Sequence, residues 1–489
     1  MVAAFGLLVV AWAMANPPLA APDEPVSVVK AVGTAYGELS GDPHGPQPER
    51  PPLIAEWYEK AVRRFAVPER YAVPSLPCFA FSRRSASCET FPLAAGDAPV
   101  AAESAQGTYE PWLYAPAGLA LRAAPSLGSG VRAGRLVTGA IAVTLLGLAV
   151  LLAVSGPPDE AAARLTGILL ATTPMLLFLG ATISTNGVEA AAAVCTWAAA
   201  LRLTDRVRDP GRPLAWLCLG AGGTVLALSR LLDPAYLVFV GLVATVLLGR
   251  RHLATLARAA SRRARVALAC VAVASLVTVV WDLLVVPSLS PSGDAASRGL
   301  ESAFTWRIVT KVARQAVGVF GWADTPMPPW PYRVWGVALL LLLLAALVLG
   351  TLRERAALLL TALGCVGAYV GLTILEAAIG FGMQARFAAA MFVGLPLVAA
   401  EVVARHTGRL PRLLPFVAVA AAQVTAVVHV TAVTVNLHRY AAGSTAGFTW
   451  PWQATWSPPF GIEPWLVVAF AAAVLLAFGT YAATRGEAP

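Results

Sequence analysis

Residues 133–154 read AGRLVTGAIAVTLLGLAVLLAV, twenty-two residues with one charge, at Arg135. About 20 mostly apolar residues, each rising 1.5 Å in a helix, cross the roughly 30 Å hydrocarbon layer of a bilayer. The stretch reads as a transmembrane helix, and the rest of the chain agrees. Of 489 residues, 58% are hydrophobic and 13% charged, and the mean hydropathy is +0.69. A soluble domain carries about a quarter charged residues, so an ordinary cytosolic protein is excluded. The 41 glycines and 37 prolines follow no period and form no long polar tract, which excludes collagen-like and disordered architectures.

Similar apolar runs predict helices near residues 2–20, 133–154, 164–183, 187–203, 214–230, 234–249, 266–286, 333–350, 356–376, 387–404, 413–435 and 464–484. The expected fold is all-α, a polytopic membrane protein of about twelve transmembrane helices. The whole chain, 1–489, reads as one membrane domain with residues 21–130 as a large loop after the first span.

The net charge of +9 comes from arginines in short clusters between apolar runs. Arg202, Arg206, Arg208 and Arg212 follow the fourth run; Arg250, Arg251, Arg258, Arg262, Arg263 and Arg265 follow the sixth. Arg353 and Arg355 follow the eighth, and Arg405, Arg409 and Arg412 the tenth. Basic residues in short loops stay cytoplasmic, so this charge sets topology and implies no nucleic-acid partner. Both termini then lie in the cytoplasm of a multi-pass plasma (inner) membrane protein, with loop 21–130 outside. Ala13-Met14-Ala15 imitates a signal-peptide cleavage site, but no basic residue precedes the apolar run, and retention as the first span is simpler.

Cys195, Cys218, Cys270 and Cys365 fall in apolar runs, whereas Cys78 and Cys88 lie ten apart in the polar loop, in a compartment that permits disulfides. These two are expected to be bridged. Within the same loop, residues 26–38 and 53–66 place apolar residues at helical spacing, which suits helices on the membrane surface. Tyr109, Trp112 and Tyr114 read as interfacial anchors.

Directly after the first run comes Asn16-Pro17-Pro18-Leu19-Ala20-Ala21-Pro22-Asp23-Glu24-Pro25. Prolines restrict the backbone on both sides of two adjacent carboxylates, forming a rigid acidic corner that can also cap a helix. No Walker loop, GxSxG elbow, HExxH or dinucleotide fingerprint occurs.

This corner, Thr173-Pro174-Met175 through Ser184-Thr185-Asn186-Gly187, Phe320-Gly321-Trp322 and Gln384-Ala385-Arg386-Phe387 together resemble, in order and spacing, the bacterial membrane family called domain of unknown function 2142. That family is grouped with the glycosyltransferase C superfamily of lipid-linked sugar transferases. The chain departs from its pattern at Ala385 and Phe387, where members have Gly and Tyr. It also has Ser27 or Val28 where members place a histidine after the acidic corner.

The resemblance implies a carboxylate, Asp23 or Glu24, acting on a sugar acceptor. Asp23 is the expected base, with Glu24 orienting it or binding a divalent cation. The donor would be a polyprenyl-phosphate-linked sugar and the acceptor a cell-envelope glycan or lipid. Arg386 and Arg230, both at outer ends of spans, offer fixed forks of donors suited to phosphate. Each also suits an interfacial anchor, and Arg230 a local pair with Asp233. Gln384 and Asn186 could hydrogen-bond sugar hydroxyls, although Asn186-Gly187 is also an ordinary turn. Trp322 and Asp324 could line a sugar site. All of these residues map to the extracytoplasmic side.

The expected function is a membrane glycosyltransferase serving the cell envelope, with a transporter or flippase as the alternative. Transporters place ionisable groups near the midplane, whereas Glu189, Asp282, Glu376 and Glu401 fall near the ends of their runs. Cysteines introduced at Leu300 and Thr445 should label from outside, and at Arg208 and Ala260 from the cytoplasm. Labelling of positions 208 and 260 from outside would invert the topology.

Overall fold

The computed structural model describes residues 1–46, 49, 52–90, 96–204, 212–249, 261–287, 293–378, 380–409 and 413–485. Arg206, Arg208, Arg250, Arg251, Arg258, Ala260 and Arg412 lie outside the described residues.

Each expected apolar run overlaps helix, although the first, expected over 2–20, ends at Ala15. Among the described residues seven helices are long and apolar enough to cross a membrane: Leu127–Ala153, Arg262–Val285, Pro329–Leu349, Leu352–Ala378, Ala385–Ala404, Leu414–Ala442 and Glu463–Arg485. Val2–Ala15 and Asp233–Leu248 are apolar but shorter. The run at 164–183 is not one helix: Pro158–Ala171 and Pro174–Gly180 meet at 66°. Pro174 has no N–H to continue the ladder, and Thr173 restarts it by accepting the Leu176 N–H at 3.3 Å.

Gly187 also differs from its expected place in a turn, since it lies in the first turn of the Thr185–Leu203 helix. A Cβ there would stand 2.1 Å from the Gly180 nitrogen, so the close approach to the bend requires glycine.

Residues 16–126 form an insert at one end of the bundle. The chain is mostly helical, as expected, and the insert adds a small sheet to it. Strands β1 (Asp42–Pro43), β2 (Arg63–Pro68) and β3 (Pro99–Ser104) make an antiparallel sheet. The helix expected over 53–66 ends at Lys60. Beyond it, Phe65 and Val67 alternate inward with exposed Arg64 and Ala66, the period of a strand. A second small pair joins β4 (Val319–Phe320) to β5 (Thr325–Pro326). The Glu24–Ala35 helix does not lie on a membrane surface, because ten of its twelve residues are buried, with Val28, Val29 and Val32 packed on Phe65, Val67 and Tyr71.

What fastens this insert to the bundle is the charge inside the opening stretch. Arg135 is fully buried and all five of its N–H donors are used. Its Nε and Nη2 donate to the two Glu24 oxygens at 2.8 and 2.6 Å. The carbonyls of Ala13, Asn16 and Pro17 accept the remainder at 3.2, 3.1 and 2.8 Å. Glu24 also accepts the Ile183 N–H at 3.1 Å. The clamp thus joins the first helix, the proline corner, the insert and two bundle elements.

Replacing one partner strands a buried charge, at a cost of about 3–5 kcal/mol. Glu24→Gln should therefore lower the thermal stability of purified protein markedly. Glu24→Gln/Arg135→Met should cost less than the sum of the two single changes.

Candidate functional site

The acidic corner divides its two carboxylates. Glu24 is sealed in the clamp, so neither oxygen is open to a metal or an acceptor. Asp23 sits in the left-handed region (φ 63°, ψ 1°) at the start of the Glu24–Ala35 helix, without capping it. Asp tolerates this conformation better than most residues. The turn carries its side chain, 42% exposed, onto Arg386, with Nη2 and Oδ2 2.5 Å apart.

Arg386, 3% exposed, stands in the single turn Ala385–Ala388 that opens the Ala385–Ala404 span. Its Nη1 donates to the Pro22 carbonyl at 3.3 Å. The turn is fixed from behind, since the Ala385 N–H donates to Gln315 Oε1 at 3.2 Å.

The Phe387 ring lies 5.1 Å from the Arg386 guanidinium and 5.6 Å from that of Arg230, within cation–π range of both. Arg230 donates to Asn186 Oδ1, and its Nε lies 3.0 Å from Glu189 Oε2. Its ion-pair partner is thus Glu189 and not the nearby Asp233. Asn186 is oriented by Ser184, whose Oγ accepts from its N–H and Nδ2 at 3.2 and 3.1 Å.

Tyr109, 38% exposed, lies within electrostatic reach of Arg230, Asp23, Glu376 and Arg386. Half-buried Glu376 faces Arg230, Arg386 and Asp23. The result is one partly open surface with two arginines, two carboxylates and a phenol. It can hold a phosphate and take a proton from a hydroxyl.

The structure thus brings together Asp23, Arg386, Arg230 and Asn186. It does not make a sugar platform of Trp322 and Asp324. Trp322 is 4% exposed and donates to the Leu19 carbonyl at 3.2 Å. Asp324 accepts from Trp322 N–H and Thr325 Oγ1 at 3.3 and 2.9 Å and pairs with Arg439 at 3.3 Å. Both residues brace the corner from behind. Gln384 is half-buried, and its side chain has no hydrogen-bond partner among the described residues.

Cys78 and Cys88 form a disulfide with Cα atoms 6.0 Å apart. Arg439 donates to the Phe79 and Ser82 carbonyls at 2.7 and 2.8 Å beside it. Among the described residues no group of three or more His, Cys, Asp or Glu side chains is placed to hold a metal ion.

Sequence reasoning missed Tyr109, read as an anchor, and Phe387. Glu189 and Glu376 carried a signal as acids inside apolar runs. Trp112 packs edge-on to Trp281 at 5.8 Å. Tyr114 is buried and donates to Gln106 at 2.8 Å, which removes it from the interface.

This end of the fold defines a helical membrane protein with an exposed carboxylate set against paired arginines. The chain belongs to the family described as "Predicted membrane protein (DUF2142)", which matches residues 5–395. No curated protein matches it. Among solved structures it is similar to ArnT from Cupriavidus metallidurans in the apo state, with TM-score 0.45 and 14% identity over 99% of this chain and 76% of that one. It is also similar to the same protein bound to undecaprenyl phosphate, with TM-score 0.40 and 14% identity over 99% and 77%.

Beside the site, buried Lys30 donates to the Gly107 carbonyl at 2.7 Å. Burial lowers its pKa to about 7, against the pull of Glu110. Burial likewise raises Glu110 to about 8, helped by the facing Asp282. Above the unfolded value of 4.5 and below about 8, folded Glu110 keeps a proton that the unfolded chain has released. Its contribution therefore falls as pH rises through that window. Lys30 acts oppositely between about 7 and 10.5, where the unfolded chain binds the extra proton. Thermal melts should show Glu110→Gln removing most of the stability loss between pH 5 and 7 while leaving the recovery above pH 8.

Proposed function

We propose that the chain is a membrane glycosyltransferase that moves a sugar from a polyprenyl-phosphate donor to a cell-envelope glycan or lipid, at the extracytoplasmic end of its bundle. The observation that carries this reading is the Asp23–Arg386 contact, which sets an exposed base against a guanidinium at the mouth of a membrane bundle. The family's grouping with lipid-linked sugar transferases supports the same class. The Cys78–Cys88 disulfide and the arginine clusters at the other end support the sidedness.

In the proposed reaction the acceptor hydroxyl gives its proton to Asp23 as its oxygen bonds the sugar's anomeric carbon. The bond from that carbon to the phosphate oxygen breaks, and the phosphate leaves with the electron pair. Arg386, with Arg230 across Phe387, stabilises the charge that gathers on the phosphate. Tyr109 is the proposed contact for a sugar hydroxyl, whereas buried Asn186, held by Ser184, orients Arg230.

Because Asp23 already occupies Arg386, an arriving donor phosphate competes for the same guanidinium and releases the carboxylate for the acceptor. Asp23→Asn should accordingly cut turnover roughly 10²-fold or more while donor binding is kept or strengthened. Arg386→Ala should weaken both donor binding and rate, and Arg386→Lys should restore only part, since a point charge cannot reproduce the fork. The measurements are donor binding to purified protein in lipid and transfer read by product mass. Full transfer by Asp23→Asn would remove this base, and a wild-type chain that binds the donor without transferring its sugar would favour a transporter or flippase.

A further inference from the structure

The segment before β4 forms two short helices, Gly293–Ala303 and Trp306–Val317, that no part of the proposed chemistry uses. The first runs down the flank of the Leu352–Ala378 span. Gly299 lies so close to it that a Cβ would stand 2.8 Å from the Ile374 Cα. Tyr369 donates to the Ala303 carbonyl at 2.7 Å. Tyr369 precedes the end of that span by nine residues, about 13 Å along the helix axis.

The second helix climbs back, since Gln315 holds the Ala385 N–H. The Lys311 ammonium lies beside Gly382, beyond the end of the span. The pair is a V whose tip dips below the level of the span ends.

Side chains follow this depth. At the tip Phe304 and Trp306 are 71% and 77% exposed, a poor arrangement in water and a good one in acyl chains. Arg307 beside them, and Lys311 and Arg314 about one and two turns above, recur at four and three residues on the exposed face, one stripe of a helix. No carboxylate lies within ion-pair distance of any of the three among the described residues; Arg314 only overlies the Tyr332 ring at 6.0 Å.

Uncompensated cations directly above exposed aromatics suit the phosphate level of a bilayer, with the apolar side chains anchored beneath. A soluble polyanion would use the cations alone and leave Trp306 and Phe304 without a purpose.

We infer that the Trp306–Val317 helix is a docking surface for anionic phospholipid headgroups, with Arg307, Lys311 and Arg314 binding phosphate and Trp306 and Phe304 inserted below. This stands apart from the transferase reading, because neither Asp23 nor Arg386 takes part. Its consequence for the site is positional: a lipid-bound helix holds Gln315, and through it the turn that carries Arg386.

The test is native mass spectrometry of purified full-length protein titrated with phosphatidylglycerol or phosphatidylcholine. Each cation at a membrane surface is worth about a fivefold affinity change. R307Q/K311Q/R314Q should therefore lose tenfold or more in phosphatidylglycerol affinity at the tightest site, with phosphatidylcholine binding unchanged. Trp306→Ser should also weaken phosphatidylglycerol. Should the triple variant fail to fold, Lys311→Gln alone should lose about fivefold with an unchanged melting temperature. Equal phosphatidylglycerol binding by wild type and these variants would overturn the proposal. So would displacement of the lipid by soluble polyphosphate with no effect of Trp306→Ser, which would make the partner a soluble polyanion.

Discussion

A guanidinium with five donors, placed where no water reaches it, has to find five acceptors or the structure does not form. Arg135 finds them in Glu24 and in three carbonyls of the chain leaving the first helix. Everything at this end of the molecule depends on that solution. The Ala13 carbonyl belongs to the last turn of the first helix and would otherwise be unsatisfied, so the ion pair also closes that helix. The Glu24 oxygens meanwhile hold the bend at Ile183, after which Asn186 and Glu189 follow in the next helix. Adjacent carboxylates thereby acquire different work. One is consumed by structure, and its neighbour is turned outward by a left-handed residue that only a fixed framework keeps in place.

The two ends of the bundle manage charge differently. At the end opposite the insert, Arg164 pairs with Glu401 and Glu160 at 2.9 Å each, Arg405 with Glu401 at 3.1 Å and His406 with Glu354 at 2.8 Å. Those groups are mutually saturated and knit three helices. At the insert end Arg386 and Arg230 each have a carboxylate, yet Asp23 is substantially exposed and Glu376 has no ion-pair partner among the described residues. Both guanidinium groups are already paired, and the partly exposed Asp23 is the partner that an incoming anion would displace from Arg386.

Helices were legible because a bilayer imposes length and polarity on each run: 356–376 and 464–484 fall within helices of the right kind, and 133–154 ends one residue past its own. The break at Thr172-Thr173-Pro174 carried a proline signal but was read through, because apolar character continues on both sides. Strand β2 was missed for a related reason. Residues 53–66 keep a helical spacing of apolar residues up to Lys60, and only pairing with β3 gives Phe65 and Val67 their period of two. Trp322 looked like a ring available for stacking. Its burial depends on Leu19, three hundred residues away in sequence.

By itself the sequence determined the membrane class, the helical runs, the arginine clusters and the short list of polar residues that includes Asp23, Arg386, Arg230 and Asn186. Local composition suffices for these, because solvation by lipid acts on each segment separately. Only the tertiary structure decided which carboxylate is spent on Arg135, that Phe387 lies within reach of two arginines, that Glu189 and not Asp233 pairs with Arg230, and that Tyr109 faces the site. Those outcomes turn on distances between segments far apart in the chain. An ionised group buried by folding takes whichever partner the packing brings within reach.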